Sequence, residues 1–550
     1  MRKFTQSLAL AALLLSTSAY AQNVAPAASV SAKAAKVPWL YEGSDVPVDD
    51  SWTFGVLPNG LRYAVKKNDV PAGQVSIRVR IDAGALHENN DEQGFAHLIE
   101  HLSFRGSTFV PDGEAKRIWQ RFGVNFGSDS NAQTTPTQTV YKLDLPNATP
   151  EKLDESVKII SGMIRNPRIS PNALNAERAI VLAELRENSG AQMVYSDALR
   201  QHAFQGQRLA NRSTIGTPET LQAADALRLS AFHDRWYRPE NAVVVMAGDI
   251  EPTQLANLVQ KYFNDWKGKG APAPEPVFGD PTPQGTPTRV LIEPTLPTIV
   301  SIAYLRPWRK VDDTIAYNEQ LLIDALALQI INRRLEVQAR SGGNYLFAEI
   351  AQEDISRTAD ATLVSVTPVG DKWEAATRDV RAIIADAIAT PPSVADIERE
   401  KTLFGNALRT MLDSYPFEAA AKQADDIVNA VDIRETVAAP KTVVQVYEGM
   451  KDKFTPQRLL ASTQKLFMAD ATRLMLSSPA PIADADNRAL AALNAVVSAN
   501  TTARLSENTL GFAALPKLGA PGKLVSEETI SQLQMTRLEL SNGVRALLYP

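Results

Sequence analysis

The chain of 550 residues contains no cysteine. This absence excludes disulfide bonds, a cysteine nucleophile, a thiolate metal site and a lipid anchor on cysteine. Stability must therefore come from packed apolar cores. Hydrophobic residues make up 44% of the chain, and its length favours about two to four domains.

Histidine and clustered positive charge are also scarce. The five histidines are scattered, whereas a metal-storage protein would need histidine-rich tracts. The formal net charge is −5, and no basic cluster offsets it. The charge pattern therefore argues against a nucleic-acid partner.

The apolar run near the N-terminus is too short to span a bilayer. Residues 8–15 follow two basic residues and precede Ala19-Tyr20-Ala21, which is the order of parts in a secretory signal peptide. We expect residues 1–21 to be removed on export to the periplasm or the extracellular space, leaving no stable membrane anchor.

Two of the five histidines stand four residues apart in the segment His97-Leu98-Ile99-Glu100-His101. On a helix these two positions share one face, so both rings can reach a single metal ion. Glu100 lies almost a full turn from His97, close enough to touch a water on the metal without being a ligand. The order is the inverse of the commoner zinc-protease motif.

The neighbours of this motif decide between two interpretations of it. A solvated surface helix would also carry polar residues at this spacing. However, Phe95, Leu98, Ile99 and Leu102 form an apolar stripe, which predicts that the helix packs into a core. A partly buried helix must pair its histidines and glutamate with something.

A third metal ligand is expected from another element. The segment Asn172 to Asn188 is rich in helix-forming residues and contains Glu177 and Glu184, seven residues and nearly two turns apart. One carboxylate could bind the metal while the other orients a ligand from behind. The alternative is an exposed acidic helix that pairs with its own arginines.

Together these residues resemble the insulinase or pitrilysin family of zinc peptidases, which includes the mitochondrial processing peptidases. The resemblance implies one Zn²⁺ per chain on His97, His101 and Glu184, with Glu100 as general base and Glu177 as a supporting carboxylate. The flanking sequences are similar too: Gly94-Phe95-Ala96, Phe104-Arg105-Gly106-Ser107 and Tyr237-Arg238-Pro239-Glu240-Asn241.

The same family uses an Asn-Ala-x-Thr strand to bind substrate, and this chain has Asn131, Ala132, Gln133 and Thr134. The resemblance implies a sheet edge beside the metal, where an extended peptide adds as a further strand. Residues 137–145 alternate in polarity and predict the neighbouring strand. Pro136 leaves the register open, and an ordinary hairpin strand is the alternative.

The predicted fold class is α+β, with two homologous domains of mixed sheet and helices, the first carrying the zinc site. A proline-rich run separates them, and Leu540 to Arg545 echoes Leu57 to Arg62, which predicts the start of a second family half. We expect residues 537–549 to form a lone strand. The expected parts are a tether (22–46), a catalytic domain (47–270), a linker (271–287), an inactive companion domain (288–480), a connector (481–530) and the truncated second half (531–550).

These observations predict a zinc endopeptidase that hydrolyses peptides or unfolded polypeptide segments held in extended form. A second half-chamber, from a missing C-terminal half or a partner subunit, would complete the substrate site. The alternative is a non-catalytic peptide-binding or scaffold subunit, because some members of the family serve as such.

Overall fold

The computed structural model describes residues 38–187, 190–501, 504 and 519–549. The predicted signal peptide and most of the predicted tether lie outside these residues. The described chain up to Arg504 forms one compact unit, and the C-terminal residues form another.

A six-stranded sheet forms the centre of the first half. Its strands are β1 (Thr53–Val56), β2 (Arg62–Lys67), β3 (Val75–Ile81), β4 (Ser130–Thr134), β5 (Thr139–Leu145) and β6 (Ala242–Gly248). They lie in the order β1-β2-β6-β3-β5-β4. Only β2 and β6 are parallel, and the other neighbours run antiparallel.

Helices follow the strands of this half. They are α1 (Phe95–Ser103), α2 (Glu114–Arg121), α3 (Pro150–Arg165), α4 (Pro171–Glu187), α5 (Ala191–Ala203), α6 (Pro218–Ala223), α7 (Ala226–Trp236) and α8 (Pro252–Phe263). A hairpin turn at Asn59-Gly60 joins β1 to β2: the Leu61 N–H donates to Asn59 Oδ1 at 3.1 Å, and Gly60 has a φ of +93°, which favours glycine.

A five-stranded sheet forms the centre of the second half. Its strands are β7 (Thr288–Ile292), β8 (Ile299–Pro307), β9 (Tyr345–Ile355), β10 (Ala359–Pro368) and β11 (Ala471–Ser478), in the order β7-β11-β8-β10-β9. The helices are α9 (Ile315–Arg340), α10 (Trp373–Ala389), α11 (Val394–Ser414), α12 (Ala420–Asp432), α13 (Pro440–Gly449), α14 (Pro456–Phe467) and α15 (Ala485–Asn494). The predicted α+β class is confirmed, with two halves that each combine a mixed sheet with helices.

The first sheet is buried on both faces. Val244 and Met246 of β6 pack into the core formed with the helices of the first half. Val243 and Val245 point the other way, against α12 of the second half. Because both faces are covered, β6 is a continuous run of apolar residues rather than an alternating strand.

Charged side chains also tie the first sheet to α12. Arg78 and Arg80 of β3 are almost completely buried. Arg78 donates to Asp425 at 2.9 Å and Arg80 to Asp432 at 2.8 Å. A buried charge is tolerated only when it is paired, so these contacts fix α12 on the sheet.

The C-terminal residues form a small antiparallel sheet of their own. Its strands are β12 (Leu524–Ile530), β13 (Met535–Leu540) and β14 (Arg545–Leu548). The prediction of a lone strand over 537–549 is wrong, because Asn542-Gly543 makes a turn. The Val544 N–H donates to Asn542 Oδ1 at 3.2 Å, as in the turn at Asn59-Gly60. In addition, β12 and α15 fall within residues expected to be a connector.

Among the described helices, none combines the length and apolar character needed to cross a bilayer.

Candidate metal centre

The motif lies on α1, as its spacing predicts. Phe95, Leu98, Ile99 and Leu102 are fully buried and pack the helix against the first core. The 3.6-residue period then places His97, Glu100 and His101 together on the face that borders a cavity.

Helix α4 brings its glutamates to this face of α1. The Glu184 Oε2 atom lies 3.8 Å from His97 Nε2 and 3.6 Å from His101 Nε2. Donor atoms of these three residues all fall within 4.8 Å of one another. Ligands about 2 Å from a tetrahedral zinc lie roughly 3 to 4 Å apart, so the group fits a zinc ion in both chemistry and size.

Glu177 lies on the far side of His101. Its Oε2 atom is 2.9 Å from His101 Nδ1, and Arg105 Nε donates to its other oxygen. An anionic acceptor there places the proton on Nδ1 and leaves Nε2 available for a metal. The sequence left the order of the two glutamates open. The geometry groups Glu184 with the two histidines and places Glu177 behind His101.

The alternative of an exposed acidic helix does not fit this arrangement. Glu177 is only 7% exposed. Arg178 donates to backbone carbonyls of Leu221 and Ala224, so it is used to pack α4 rather than to neutralise a solvated acidic face.

The pKa values of the two histidines shift in opposite directions. Burial and the nearby His101 lower the pKa of His97 to about 3, so its ring is neutral, as a metal ligand must be. Burial also lowers the pKa of His101, but the hydrogen bond to Glu177 and the surrounding carboxylates outweigh it and raise that pKa. The pKa of Glu177 falls, because hydrogen bonds from His101 and Arg105 overcome the effect of burial.

Glu100 stands beside the three candidate ligands without joining them. It is 8% exposed, and its Oε2 accepts a hydrogen bond from Thr134 Oγ1 at 2.5 Å. Burial raises the pKa of Glu100 to about 7, although the bond from Thr134 acts in the opposite direction. A carboxylate with a pKa near neutrality is well matched to general acid–base chemistry.

Strand β4 is the outer strand of the first sheet and borders the same cavity. Its pairing with β5 runs without a shift from Ser130↔Leu143 to Thr134↔Thr139. Pro136 therefore lies in the turn between the two strands and leaves the register undisturbed. Asn131 and Gln133 are exposed, whereas Thr134 uses its hydroxyl to hold Glu100.

The edge of β4 carries a backbone donor with a replaceable partner. The Ala132 N–H donates to the side-chain Oδ1 of neighbouring Asn131 at 2.9 Å. The side-chain oxygen of the preceding residue, Asn131, is a local and flexible acceptor. A backbone carbonyl of another chain can take its place.

The cavity has a volume of about 920 Å³, within the range of ligand sites. One wall carries the metal-ligand group, Glu100 and β4. A second wall is one face of the second sheet, with Ser301 and Ala303 of β8, Ala351 of β9 and Leu363 of β10. An extended segment between the two walls would contact both halves of the chain.

Two acidic residues on this second wall were not predicted from the sequence. Glu349 and Glu353 lie on β9 and face the cavity. Burial and the charge of Glu349 raise the pKa of Glu353 to about 8, and its Oε2 atom has no hydrogen-bond partner among the described residues. The signal was available in the alternation Glu349, Ala351, Glu353, Ile355, which has the period of a strand.

The remaining histidines have structural roles. His202 Nε2 and His233 Nε2 contact the carbonyl oxygens of Leu474 and Ile164 at 3.0 and 2.8 Å. The ring of His87 packs edge-on against Trp236, with ring centroids 4.9 Å apart. All three lie apart from the metal-ligand group.

Two family models match the chain. The model described as Insulinase (Peptidase family M16) matches residues 63–217. The model described as Peptidase M16 inactive domain matches residues 223–404. Together the two matches cover more than half of the chain.

Individual proteins and structures agree with these matches. A probable zinc protease PqqL of Haemophilus influenzae is 32% identical over 40% of this chain and 24% of its own length. A zinc protease PQQL-like protein of Arabidopsis thaliana is 24% identical over 90% of this chain and 49% of its own. The crystal structure of the periplasmic protease PqqL from Escherichia coli matches with a TM-score of 0.77 and 21% identity, over 92% of this chain and 56% of that one. The chain spans about half, or less, of the length of the curated relatives it matches.

Proposed function

Because the chain belongs to the insulinase family of peptidases, we propose that it is a zinc-dependent endopeptidase acting on peptides or unfolded polypeptide segments in extended form. The observation that carries this proposal is the convergence of His97 Nε2, His101 Nε2 and Glu184 Oε2 beside the buried carboxylate of Glu100. Members that serve only as scaffolds would not need all four groups in place.

In this proposal His97, His101 and Glu184 hold one Zn²⁺ per chain. When bound, zinc polarises the scissile carbonyl and lowers the pKa of a water molecule toward neutrality. Glu177 and Arg105 hold the ring of His101 in the orientation that presents Nε2. This support is the usual role of a carboxylate behind a histidine ligand.

Glu100 acts as the proton carrier. Its carboxylate accepts a proton from the attacking water and returns it to the leaving amine. The hydroxyl of Thr134 holds Oε2 of this carboxylate and so fixes its orientation beside the candidate ligands. The low exposure of Glu100 keeps bulk water from competing for the proton.

The substrate backbone pairs with β4. A carbonyl of the extended peptide replaces Asn131 Oδ1 as acceptor for the Ala132 N–H, and peptide N–H groups donate to carbonyls of β4. Main-chain pairing of this kind is indifferent to side chains, so broad cleavage of unfolded segments follows.

N-methylation of a good peptide substrate tests the strand pairing. In an antiparallel pair only alternate N–H groups point at the neighbouring strand. We expect a methyl group at a facing position to weaken binding about tenfold, since one net hydrogen bond contributes about 1 kcal/mol and the methyl group also obstructs the edge.

The same peptide supplies the control. A methyl group on the adjacent nitrogen, which points away from β4, is expected to change the affinity little. If methylation at every position along the segment leaves binding unchanged, peptides do not pair with β4.

Two further parts of the proposal concern the setting of the enzyme. We propose export to the periplasm or extracellular space, supported by the signal-peptide pattern of residues 1–21 and by the periplasmic location in the name of the Escherichia coli protein. We also propose that a second half-chamber, from further chain or a partner subunit, completes the substrate site, because the relatives are about twice as long. Peptide affinity measured with and without that second half tests this idea. Equal affinities would contradict it.

A further inference from the structure

Glu88 lies in the loop before α1 and is completely buried. Both of its carboxylate oxygens accept backbone hydrogen bonds from the start of that helix. The Gly94 N–H donates to Oε2 at 3.0 Å, and the Ala96 N–H donates to Oε1 at 2.9 Å. The Glu88 carboxylate therefore caps the N-terminus of α1, although Glu88 lies several residues before the helix begins.

The start of α1 needs such a partner. The first N–H groups of any helix lack an acceptor within the helix, and Gly94, at the cap position, has no side chain to supply one. Glycine is required there, because Gly94 has a φ of +89° and a Cβ atom would lie 2.7 Å from the Ile215 carbonyl oxygen. Burial raises the pKa of Glu88 to about 8, while the backbone hydrogen bonds from Ala96 and Gly94 act in the opposite direction, so the cap rests on these two hydrogen bonds and not on a charge.

The position of His97 makes this cap relevant to the metal centre. His97 is the third residue of α1, within the first turn, whereas His101 lies one turn further on. Helices fray from their ends, so loosening of the first turn would displace His97 before it displaced His101 or Glu184.

The backbone of Glu88 is held in turn by two arginines. Its carbonyl oxygen accepts from Arg208 and from Arg212, the latter at 3.3 Å. Arg212 also donates to Asn90 Oδ1 at 2.7 Å and lines the cavity. Arg212 therefore contacts the loop that caps the first turn of α1 and also lines the cavity.

We propose that Glu88 is a positioning residue for the metal centre: its carboxylate holds the first turn of α1 so that His97 Nε2 stays within reach of His101 Nε2 and Glu184 Oε2. The inference rests on the proposed function in naming zinc as the ion. The placement of the helix by Glu88 stands on the hydrogen bonds alone.

The substitution Glu88→Gln tests the proposal. Glutamine has the same size, but its amide nitrogen is a donor and would face a backbone N–H. We expect the zinc dissociation constant to rise about tenfold or more, the range seen when supporting groups of a metal site are changed. In peptide hydrolysis we expect kcat to fall about tenfold while KM changes little, because β4 is not disturbed.

Glu400→Gln is the matched control. Glu400 on α11 is also completely buried, and it accepts hydrogen bonds from Arg333 and Arg399. We expect this variant to lower the Tm of the zinc-free protein while zinc affinity and kcat stay at the wild-type level. If Glu88→Gln behaves in the same way, with only the Tm reduced, the positioning role is wrong.

Hydrogen exchange separates this inference from the proposed function. If the wild type neither binds zinc nor cleaves peptides, the proposed function fails. The backbone amides of residues 94–97 in the zinc-free protein then decide on Glu88. Faster exchange in Glu88→Gln, but not in Glu400→Gln, supports the capping role, and unchanged exchange overturns it. Because Glu88→Gln could unfold the chain, Glu88→Asp serves as the milder variant, with the same measurement and the same criteria.

Discussion

Glu100→Gln is expected to retain one zinc per chain and to lower kcat for peptide hydrolysis by about 10² to 10⁴. The amide keeps the size of the side chain and can still accept the hydrogen bond from Thr134 Oγ1, so the cavity keeps its shape. It cannot take up a proton from water. The loss should therefore appear in kcat, with zinc content unchanged.

The measurement pairs steady-state kinetics with metal analysis of the same preparation. Glu400→Gln is again the control for replacing a buried glutamate, and it should leave kcat unchanged. If Glu100→Gln cleaves peptides at the wild-type rate, Glu100 is not the base and the mechanism proposed here is wrong.

Replacing a ligand is expected to remove the metal itself. His97→Ala, His101→Ala and Glu184→Gln should each weaken zinc binding by more than about 100-fold, because even the supporting groups around a zinc ligand are worth about 10 to 100-fold. Hydrolysis should be lost in parallel. Glu177→Gln should weaken zinc binding by only about 10 to 100-fold, since Glu177 acts on the metal only through His101.

Chelator competition gives the affinities for this series, and Glu187→Gln supplies the control on the same helix. Glu187 is exposed near the end of α4, so its loss should not affect zinc. Tight zinc binding by Glu184→Gln together with loss of zinc in Glu177→Gln would reverse the roles assigned to the two glutamates.

Local spacing was enough to predict the helix that carries the site. The four-residue interval between His97 and His101, with apolar residues at Leu98 and Leu102, predicts a packed helix with both rings on one face, and α1 has this form. The helix-forming residues of Asn172 to Asn188 likewise predict a helix, with Glu177 and Glu184 on nearly one face, and α4 confirms the helix. These patterns depend only on helix geometry within a few residues.

The contacts that complete the site join distant parts of the chain. Thr134 reaches Glu100 from β4, and Arg105 reaches Glu177 from beyond the end of α1. The two residues of each pair are too far apart in the sequence to belong to one helical or strand repeat. Such contacts follow from how the elements pack, which periodicity within one element does not encode.

The same limit applies to the second half. Strand β9 was not predicted, so the cavity wall with Glu353 was missed. Helix α12 was assigned to the companion domain, yet it covers one face of the first sheet. Its partners Arg78 and Arg80 are buried charges on a strand, and their acids lie several hundred residues away.

The turn at Asn542-Gly543 carried a local signal that was used only in part. The echo of Asn59-Gly60 correctly relates two similar turns. An Asn-Gly pair flanked by strand residues also predicts a hairpin. That prediction would have given two strands, β13 and β14, in place of one strand over residues 537–549.

The central claim, that this chain is a zinc peptidase, is tested most directly by zinc content and hydrolysis of an unfolded polypeptide on one preparation, before and after chelation. We expect one zinc per chain, loss of hydrolysis when the zinc is removed, and recovery when one equivalent is returned. Full hydrolysis by the metal-free chain, or tight peptide binding with one zinc bound and no cleavage, would contradict it, and the second result would favour a scaffold subunit.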